Sequence, residues 1–515
     1  MHKVFLPEAV RRMDRAAMQT YEIPGLVLME HAAGVCLEAL GQMLGGLAGR
    51  EVCLLCGGGN NGGDGLALAR LLDQAGARPT VVLLGAGESL TGDAAANWRI
   101  LRHLAVPVRQ ALDPAAFDAA VADLKPAAVV DALLGTGIAG AVRPLFAHAI
   151  AWVNRQAAPV LAVDIPSGVD AATGAACGCA VRADVTATFQ VLKPGHLLGE
   201  GARACGQVRV GEISLPRALW QDAPWEALEA GDAARLLPIR PAQGHKGTFG
   251  HVVVCAGSLG MMGAGILSAR AAARMGCGLV SLAVMASQVP VCQNQASEIM
   301  AHALPEREGQ LAPEAGEALI DFLRGKQALA IGPGWGRGDA MPGVLLHILE
   351  QNPCPAVIDA DALFALSGKA DALKGGRPLV LTPHPMEMAR LTGRPIADIL
   401  ADPIGAAVDF AARYQVTLLL KGATTVVADP AGRVTFNRTG NDGMATGGSG
   451  DVLTGVIASL LAQGLPPYEA ARLGAYIHGL AGDEAAGSVG RRSLLAGDLI
   501  GYLPQALLRL EALIP

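Results

Sequence analysis

The chain has 515 residues, of which 51% are apolar and 17% are charged, with 66 glycines and a formal net charge of −6. A chain this apolar and this poor in charge can bury a large core, which excludes intrinsic disorder, and its glycines show no three-residue period, which excludes collagen. The acidic balance and the lack of a basic tail argue against DNA or RNA as a partner.

The N-terminal segment and the cysteines indicate where the protein works. The first residues, MHKVFLPEAVRRMDRA, contain no long apolar run, so we expect no secretory signal. The ten cysteines include one CxxC pair, Cys53 and Cys56, which lies inside an apolar run. No second CxxC and no nearby histidine pair completes a zinc site, so a buried strand is favoured. Scattered cysteines of this kind are typical of a reducing compartment, and we expect a cytoplasmic protein.

One stretch has the length of a membrane span. Val252–Ala269 carries no charge over 18 residues, but it contains four glycines in its middle. Such a segment is typical of a strand, a glycine loop and the start of a helix rather than of one continuous helix. We therefore predict no membrane association.

The chain repeats a pattern of a short β-branched run, a glycine-rich turn and a helical stretch. This pattern is typical of a parallel sheet covered on both faces by helices. The spacing of Leu68, Leu71, Leu72 and Ala75 predicts a helix after the first strand. Leu215–Asp232 has no clear period, so we place a domain boundary near residue 225. The predicted strands are Val52–Cys56, Thr80–Leu84, Ala128–Ala132, Val160–Asp164, Thr186–Val191, His251–Ala256, Leu279–Val284, Ala328–Ile331, Ala356–Asp359, Leu379–Thr382 and Thr417–Leu420, with hairpin-like strands at Thr425–Ala428 and Arg433–Asn437.

A glycine-rich motif, Gly57-Gly-Gly-Asn-Asn-Gly-Gly-Asp-Gly65, follows the first of these strands and opens the helix. Backbone N–H groups at a helix N-terminus form a cradle for an anion such as a phosphate. The motif is neither GxGxxG with a ribose carboxylate nor GxxxxGK[ST]. A tight strand-to-helix connection remains an alternative, although the polar side chains inside the motif favour a binding loop.

Three further segments place polar groups at predicted strand ends. They are DALLGTG from Asp131, DIPSG from Asp164 and FQVLKPG from Phe189. Ligands bind doubly wound sheets at the carboxyl ends of the strands, so these groups predict a site beside the glycine loop. Each aspartate taken alone is equally consistent with a turn or helix cap.

These motifs, together with Met13-Asp14-Arg15-Ala16 and Gly25-Leu-Val-Leu-Met-Glu30, occur in the order of the YjeF N-terminal domain. Residues 1–215 thus resemble that family of NAD(P)H-hydrate epimerases, with His31 at a position where the family usually has Asn. The resemblance implies that residues 1–222 form a Rossmann-like doubly wound domain that epimerises hydrated NADH and NADPH.

The same resemblance implies roles for individual residues. Epimerisation at C6 needs an acid–base group, for which Asp164 is the first candidate and Lys193 the second. Asn61, Asp131 and Ser167 would supply oxygen ligands to a potassium ion. The residues implied to bind the hydrated dinucleotide are Asn60, Asn61, Gly62, Gly63, Asp64, Gly135, Thr136, Gly137, Ile138, Ala139, Gly140, Ala141 and Asp164.

The second half contains the motif Asn441-Asp-Gly-Met-Ala-Thr-Gly-Gly-Ser-Gly-Asp451, followed by an apolar helix pattern. The glycine run places Asp451 in the first helical turn, where free N–H groups and the helix dipole stabilise a transferring phosphate. A carboxylate there can orient a hydroxyl and accept its proton as the P–O bond forms, as in kinases. The alternative is that Asp451 only caps its helix.

Other strand ends in this half carry groups suited to phosphoryl transfer. Lys421-Gly-Ala-Thr-Thr425 combines a cation with hydroxyls, which suits a nucleotide phosphate. His384 lies between two prolines and is either a ligand contact or a turn histidine. Asp359 and Asp361 are strand-end carboxylates and are candidates for holding magnesium.

With His245-Lys-Gly-Thr-Phe-Gly250 and Gly332-Pro-Gly334, these segments resemble the ADP-dependent NAD(P)H-hydrate dehydratase domain over roughly residues 233–510. The resemblance implies a ribokinase-like α/β/α sandwich for residues 230–515, with Mg²⁺ as cofactor and ADP as co-substrate. Met386 stands where the family usually has Gly. The residues implied to contact the hydrated cofactor are Ala264, Gly334, His384 and Asp451, and those implied to contact the nucleotide are Lys421, Gly422, Ala423, Thr424, Thr425 and Gly450.

An epimerase fused to a dehydratase makes chemical sense, because hydration of nicotinamide yields both C6 epimers and a stereospecific dehydratase acts on one. We therefore predict a two-domain α/β enzyme that epimerises the R and S hydrates and dehydrates the S form with ADP, releasing AMP and phosphate. Two alternatives remain, a small-alcohol or sugar kinase and a non-catalytic binding module in the first half. So apolar a chain is also expected to form a homo-oligomer.

Overall fold

The computed structural model describes residues 1–138 and 140–514. The chain divides into two compact units, one over His2–Ala223 and one from Pro224 onward that also includes Met1. We call them the N-terminal and the C-terminal unit. No helix within the described ranges is long and apolar enough to cross a membrane.

The N-terminal unit is built on a parallel sheet of seven strands in the order β4-β3-β2-β5-β6-β7-β8. The chain runs outward from β2 toward β4 and then returns to β5 to run the other way, which defines a doubly wound sheet. The strands of this unit are β1 His2–Val4, β2 Glu51–Cys56, β3 Arg78–Leu84, β4 Val108–Ala111, β5 Ala128–Ala132, β6 Val160–Val163, β7 Val185–Phe189 and β8 Gln207–Gly211. The helices are α1 Pro7–Gln19, α2 Gly25–Leu44, α3 Asn60–Gln74, α4 Gly92–Leu101, α5 Pro114–Val121, α6 Pro144–Val153 and α7 Gly199–Ala204.

Helices cover both faces of this sheet because its central strands are apolar on both sides. Leu54 and Cys56 of β2 pack toward α2, α3 and α4. Cys53 and Leu55 of the same strand pack toward α5 and α6. The CxxC pair is therefore a buried strand segment, as predicted, and both of its cysteines are free.

The C-terminal unit contains a mixed sheet in the order β9-β20-β19-β18-β17-β16-β15-β10-β11-β12. The pairings from β18 through β12 are parallel, whereas β18–β19 and β19–β20 are antiparallel. The strands are β9 Trp225–Ala227, β10 His251–Cys255, β11 Leu279–Met285, β12 Met300–Leu304, β13 Glu306–Arg307, β14 Gln310–Leu311, β15 Ala328–Ile331, β16 Ala356–Ile358, β17 Leu379–Leu381, β18 Thr417–Leu420, β19 Thr425–Ala428 and β20 Val434–Asn437. The helices are α8 Ala230–Leu236, α9 Met262–Arg274, α10 Val289–Gln295, α11 Ala315–Leu323, α12 Met341–Gln351, α13 Ala360–Ala365, α14 Pro385–Thr392, α15 Ile396–Ala401, α16 Pro403–Tyr414, α17 Ser449–Ala462, α18 Pro467–Val489 and α19 Ala496–Glu511.

The main core of this unit lies between one sheet face and the helices α9, α17, α18 and α19. Helix α17 is buried along most of its length, because nearly every residue after its first turn is apolar or small. On the other face α16 packs on β18 and β19. A buried α17 fixes the position of its first turn relative to the carboxyl ends of the strands.

All predicted strands are present, with their ends shifted by no more than two residues. The uncharged stretch 252–269 is a strand, a loop and the first half of α9. The strands that the sequence did not predict lie mainly at sheet edges or in short hairpins, as β4, β8 and β12 do. Polar residues such as Arg109 and Gln110 in β4 interrupt the apolar pattern there, because an edge strand is buried on fewer sides.

Candidate active sites

A cavity of about 690 Å³ opens in the N-terminal unit at the carboxyl ends of its central strands. This is the switch point of the doubly wound sheet, and the volume is typical of small-ligand pockets. Most of the predicted epimerase residues line it, namely Asn60, Asn61, Asp64, Gly135, Thr136, Gly137, Ile138, Asp164 and Lys193.

The remaining predicted binding residues have other positions. Gly62 and Gly63 lie in the first turn of α3, where a Cβ on Gly62 would come within 1.9 Å of the Gly57 carbonyl oxygen. Gly62 therefore serves close packing of the loop against the helix and Gly63 close packing of the helix against Met29 and Ala94, while the asparagines beside them line the cavity. Gly140 and Ala141 do not line the cavity, and Ala139 lies outside the described residues.

Asp164 and Lys193 form the centre of this cavity. Nζ of Lys193 donates to Oδ1 of Asp164 at 2.6 Å and to Oγ1 of Thr188 at 2.8 Å. The Thr188 hydroxyl in turn donates to the same carboxylate oxygen at 2.9 Å. Asp164 has a φ of +65°, a strained value that non-glycine residues rarely adopt outside functional sites. Burial raises the pKa of Asp164, but the charge and hydrogen bond of Lys193 outweigh it, so the net pKa is lowered and the carboxylate stays ionised.

The His196 ring hydrogen-bonds to the backbone of both Lys193 and Asp164. The backbone N–H of Lys193 donates to Nδ1 of His196 at 3.0 Å, so Nε2 carries the proton of the neutral ring. Nε2 lies 2.8 Å from the Asp164 carbonyl oxygen and donates to it. The imidazole thereby fixes the strained backbone of Asp164, a contact that the sequence pattern did not predict.

Three further aspartates, Asp14, Asp64 and Asp93, line the cavity, and the fold alters the pKa of the first two. Burial raises the pKa of Asp64 well above its usual value, and the negative charge of Asp164 adds to this shift. Burial and the charge of Asp164 also raise the pKa of Asp14, against the opposing effect of Lys193. The cavity therefore combines one carboxylate that stays ionised with two carboxyls that hold protons more readily. Asp14 was part of a family motif but was not predicted as a site residue.

The proposed potassium ligands lie beside the cavity. Ser167 donates its backbone N–H to Oδ2 of Asp131 at 2.7 Å and its hydroxyl to Oδ1 at 2.6 Å. Burial raises the pKa of Asp131 to about 6, although hydrogen bonds from Ser167 oppose the shift. Both side-chain polar atoms of Asn61 are buried and have no hydrogen-bond partner among the described residues. A Cβ on Gly135 would lie 3.2 Å from Cβ of Asn61, which places the loop after Asp131 against this asparagine.

In the C-terminal unit, Asp451 lies in the first turn of α17, as predicted. Gly448, the N-cap of this helix, takes a φ of +91° that allows the chain to enter the helix. Burial, with the nearby negative charges of Asp359 and Asp361, raises the pKa of Asp451 to about 6 despite the opposing charge of Lys421. Within the described residues no side chain caps this helix, and the Ser449 N–H reaches the Thr446 carbonyl oxygen only at 3.4 Å, so the start of the helix is open to an anion.

Lys421, the first residue of the predicted nucleotide-binding segment 421–425, pairs with carboxylates near Asp451. Its Nζ lies 2.8 Å from Oδ1 of Asp359 and 3.8 Å from Oε2 of Glu387. Burial lowers the pKa of Lys421, but these carboxylates outweigh it and raise the pKa, so the ammonium stays charged. A Cβ on Gly450 would lie 3.4 Å from Nζ of Lys421, so the two predicted nucleotide segments meet.

Two of the residues predicted to contact the hydrated cofactor, Ala264 and Gly334, lie next to each other. A Cβ on Gly334 would come within 3.0 Å of Cβ of Ala264, so these two residues are neighbours. Ser268, one turn along α9 from Ala264, donates to the Asp451 carbonyl oxygen at 2.8 Å and connects them to the α17 turn.

His384 is the N-cap of α14. Its Nδ1 accepts hydrogen bonds from the backbone N–H groups of Met386 at 3.1 Å and Glu387 at 3.3 Å. Burial and the charge of Lys421 lower the pKa of His384, so the ring is neutral with its proton on Nε2. Met386 keeps this cap through its backbone and leaves its side chain exposed. His384 thus caps this helix, and its Nε2 lies 3.5 Å from Oε1 of Glu387.

Asp359 and Asp361 are engaged by protein groups. Asp359 binds Lys421 and accepts a hydrogen bond from the Thr454 hydroxyl at 2.7 Å. Asp361 accepts from the Gly336 N–H at 3.0 Å and from Nε of Arg337 at 2.8 Å. Across the ranges that the structure covers, no three His, Cys, Asp or Glu side chains are grouped to hold a metal ion. A magnesium ion here would be held mainly through nucleotide phosphates and water.

The fold and the two sites define a two-unit α/β enzyme with a cluster of ionisable side chains in each unit. Family models match residues 25–195 as YjeF-related protein N-terminus and residues 252–505 as NAD(P)H-hydrate dehydratase. The chain is 43% identical over 506 residues to the bifunctional NAD(P)H-hydrate repair enzyme Nnr of Moorella thermoacetica, covering 97% of this chain and 96% of that relative. The chain belongs to the family of bifunctional NAD(P)H-hydrate repair enzymes.

Solved structures match the C-terminal part. A ribokinase-like superfamily protein from Enterococcus faecalis is 27% identical, with a TM-score of 0.50, and the match covers 56% of this chain and 96% of that one. An ADP/ATP-dependent NAD(P)H-hydrate dehydratase from Bacillus subtilis, co-crystallised with ATP/Mg²⁺, is 31% identical, with a TM-score of 0.49 and coverage of 56% and 99%. The predicted fold class, family and repair function are confirmed.

Proposed function

We propose that residues 1–222 carry out the epimerisation and residues 230–515 the dehydration, with the residues described above in the roles assigned below. In the N-terminal unit, the hydrated nicotinamide ring lies against Asp164 and Lys193. The 6-hydroxyl leaves as water, which needs a proton donor, and water then adds to the other face of the ring, which needs a proton acceptor. Asp164 is the acceptor because Lys193 keeps it ionised, and Asp64 and Asp14 are the donors because burial favours their protonated forms.

Potassium fits the donor set of this unit. Asn61 has a buried side-chain oxygen without a partner, and Asp131 is a buried carboxylate whose charge is poorly compensated. Oxygen atoms of Asn61, Asp131 and Ser167 would hold the ion, in keeping with the preference of hard cations for oxygen. When bound, potassium would supply positive charge next to the loop that begins at Gly135, and the protein groups named here would orient that loop toward the dinucleotide.

In the C-terminal unit, Asp451 orients the 6-hydroxyl of the S hydrate and accepts its proton as the oxygen attacks the β-phosphorus of ADP. AMP leaves, and the ring then carries a phosphate on C6. Expulsion of this phosphate by the ring nitrogen, followed by loss of a proton from C5, restores the double bond of NAD(P)H. The overall reaction converts ADP and the hydrate into AMP, phosphate and NAD(P)H.

The nucleotide is positioned by the segment Lys421 to Thr425 and by Gly450. The Lys421 ammonium and the free N–H groups of the first α17 turn stabilise charge on the transferring phosphoryl group. Mg²⁺ bound to the nucleotide phosphates would neutralise further charge when present. ADP is proposed as the donor because this unit resembles the ADP-dependent dehydratases.

The observation that carries the dehydratase proposal is the position of Asp451 at an uncapped helix N-terminus beside the Lys421–Asp359 pair. The test is to incubate purified protein with a mixture of R and S hydrated NADH, Mg²⁺, K⁺ and either ADP or ATP. Return of NADH absorbance from both epimers supports both activities, and the faster nucleotide identifies the donor. Conversion of the S hydrate alone removes the epimerase proposal. A stable phosphorylated product without NADH would replace the dehydratase by a kinase.

We further propose that the enzyme works in a reducing cytoplasm as a homo-oligomer. Support for the first part is that its ten cysteines are free. Support for the second is the apolar, charge-poor composition together with exposed large apolar side chains such as Leu259 and Leu400. Light scattering coupled to size-exclusion chromatography measures the oligomeric state directly.

A further inference from the structure

Two arginines border the N-terminal cavity away from its acid–base centre. Arg11 of α1 donates from Nη1 to the Thr136 carbonyl oxygen at 3.3 Å, and Thr136 itself lines the cavity. Arg143 also lines the cavity, with its guanidinium carbon 4.8 Å above the ring of Phe146, another lining residue. Neither arginine takes part in an ion pair within residues 1–138 and 140–514.

The charge distribution of the cavity is uneven. Asp14, Asp64 and Asp164 interact electrostatically with one another, and the one lysine among them is paired with Asp164. The Lys193 ammonium is therefore already compensated by a carboxylate, whereas Arg11 and Arg143 are not compensated by any within the described part of the chain. The hydrated dinucleotide carries a doubly charged pyrophosphate bridge, and these two guanidinium groups of the cavity lining are placed to bind it.

Helix α1 contributes one arginine and one aspartate to the cavity lining. Arg11 and Asp14 are three residues apart in α1, so they lie on one helix face about one turn, roughly 5 Å, from each other. Asp14 faces the Asp164 centre, whereas Arg11 faces the loop at Thr136. The hydrated ring and the pyrophosphate would thus be drawn to successive turns of the same helix.

Resting on the epimerase function proposed above, we propose that Arg11 and Arg143 bind the pyrophosphate bridge and thereby orient the hydrated ring toward Asp164. Guanidinium groups suit this role because they present planar, paired donors to phosphate oxygens and keep their charge at any physiological pH. The stacking of Arg143 on Phe146 holds its guanidinium toward the cavity. These are positioning residues, since they act on a part of the substrate that does not react.

The test measures epimerisation alone, without added nucleotide, by chromatographic separation of the R and S hydrates. Arg11→Met and Arg143→Met should each raise KM for hydrated NADH and hydrated NADPH by about tenfold or more and change kcat less than twofold, because the lost binding is shared equally by the ground state and the transition state. ADP-ribose, which carries the pyrophosphate without nicotinamide, is the probe, and its inhibition constant in this assay should rise by a similar factor. Arg11→Lys and Arg143→Lys should restore part of the affinity.

Arg12→Met and Arg155→Met are the matched controls, because both arginines are exposed and outside the cavity lining. Thermal melting verifies that each variant is folded. If the wild-type protein epimerises and binds ADP-ribose but the Arg11 and Arg143 variants behave like the controls, the arginine assignment is wrong while the epimerase function stands. Loss confined to hydrated NADPH would assign the arginines to the 2′-phosphate and overturn the proposal. A wild-type protein that neither epimerises nor binds ADP-ribose overturns both.

Discussion

The ammonium of Lys421 lies 2.8 Å from Oδ1 of Asp359, a carboxylate whose side chain is only 1% exposed. The other oxygen of this carboxylate accepts a hydrogen bond from Thr454 at 2.7 Å. Lys421 comes from the loop after β18, Asp359 from the end of β16 and Thr454 from α17. One buried pair therefore joins the nucleotide segment to the helix that carries Asp451.

Removing one partner of this pair should destabilise the protein. Lys421→Met leaves the Asp359 charge buried with a single hydroxyl, and the loss of such a partner costs about 3–5 kcal/mol. Thermal or denaturant unfolding of the full chain measures the effect. Lys374→Met, which breaks an exposed pair with Asp371, is the control and should leave stability nearly unchanged, because solvent screens such a pair. The double variant Lys421→Met with Asp359→Asn should recover much of the loss, and no recovery would contradict the explanation by buried charge.

Asp451→Asn should abolish the dehydration and leave the epimerisation intact. The amide cannot accept the hydroxyl proton, and loss of a general base lowers the rate by about 10²- to 10⁴-fold. Asp442→Asn is a matched control in the same motif, because Asp442 is exposed and its pair, with Arg491 at 3.3 Å, is exposed too. The return of NADH absorbance measures the first activity, and chromatography of the hydrates measures the second. If this variant still dehydrated the hydrate at a near wild-type rate, Asp451 would not be the proton acceptor, and its role would be limited to capping the helix.

The dehydration rate should fall on the acidic side of pH 6. Burial and neighbouring carboxylates raise the pKa of Asp451 to about 6, and only the ionised form accepts a proton. As pH falls through this value the active fraction decreases, so kcat/KM should decrease about tenfold for each further pH unit. Asp361→Asn removes one of the negative charges that raise this pKa, so the acidic limb should move to lower pH. A limb that moves to higher pH, or a flat profile from pH 5 to 8, would contradict this assignment.

Asp164→Asn should stop epimerisation while the S hydrate is still dehydrated. The amide cannot be ionised, so the acceptor for the proton of the incoming water is lost. In the assay with mixed hydrates and ADP, NADH absorbance should rise only until the S form is consumed and then continue at the slow uncatalysed rate of epimerisation. Asp118→Asn, at an exposed aspartate paired with His148, should behave like the wild type. If Asp164→Asn converted both epimers to NADH completely and rapidly, another group of the cavity would have to be the proton acceptor.

Much of the architecture and the site could be predicted because both are local in sequence. The glycine-rich segment 447–450 places Asp451 at the start of a helix through its backbone conformation, and strand ends such as Asp164 follow from short apolar runs. Asn441, the first residue of the same motif, has a structural role. The Asn441 amide oxygen accepts a hydrogen bond from the Gly443 N–H, and the Asn441 amide nitrogen donates to the Gly482 carbonyl oxygen. The motif thus carries Asp451, the proposed proton acceptor, and through Asn441 it also anchors the loop to α18.

Partners that are distant in sequence could not be predicted. Thr454 binds Asp359 across 95 positions, and no periodicity in the sequence reports such a contact. Glu387 could be expected only as a helix-capping residue, yet it also lies near Lys421. The raised pKa values of Asp14 and Asp64 likewise depend on which carboxyl groups the fold brings together, which is a property of tertiary packing.

Potassium should stabilise the protein through Asn61. Both polar atoms of this side chain are buried without a partner, an arrangement that costs free energy unless a bound ion or ligand satisfies them. In choline chloride, Asn61→Ala should therefore melt at or above the temperature of the wild type, because it removes unsatisfied groups. In potassium chloride of the same ionic strength, the wild type should gain stability by mass action and the variant should not. Thermal melting in the two salts measures this without reference to activity. Equal gains in both proteins would remove Asn61 from the ion site, whereas a variant that is strongly destabilised in choline would show that its amide has a structural partner.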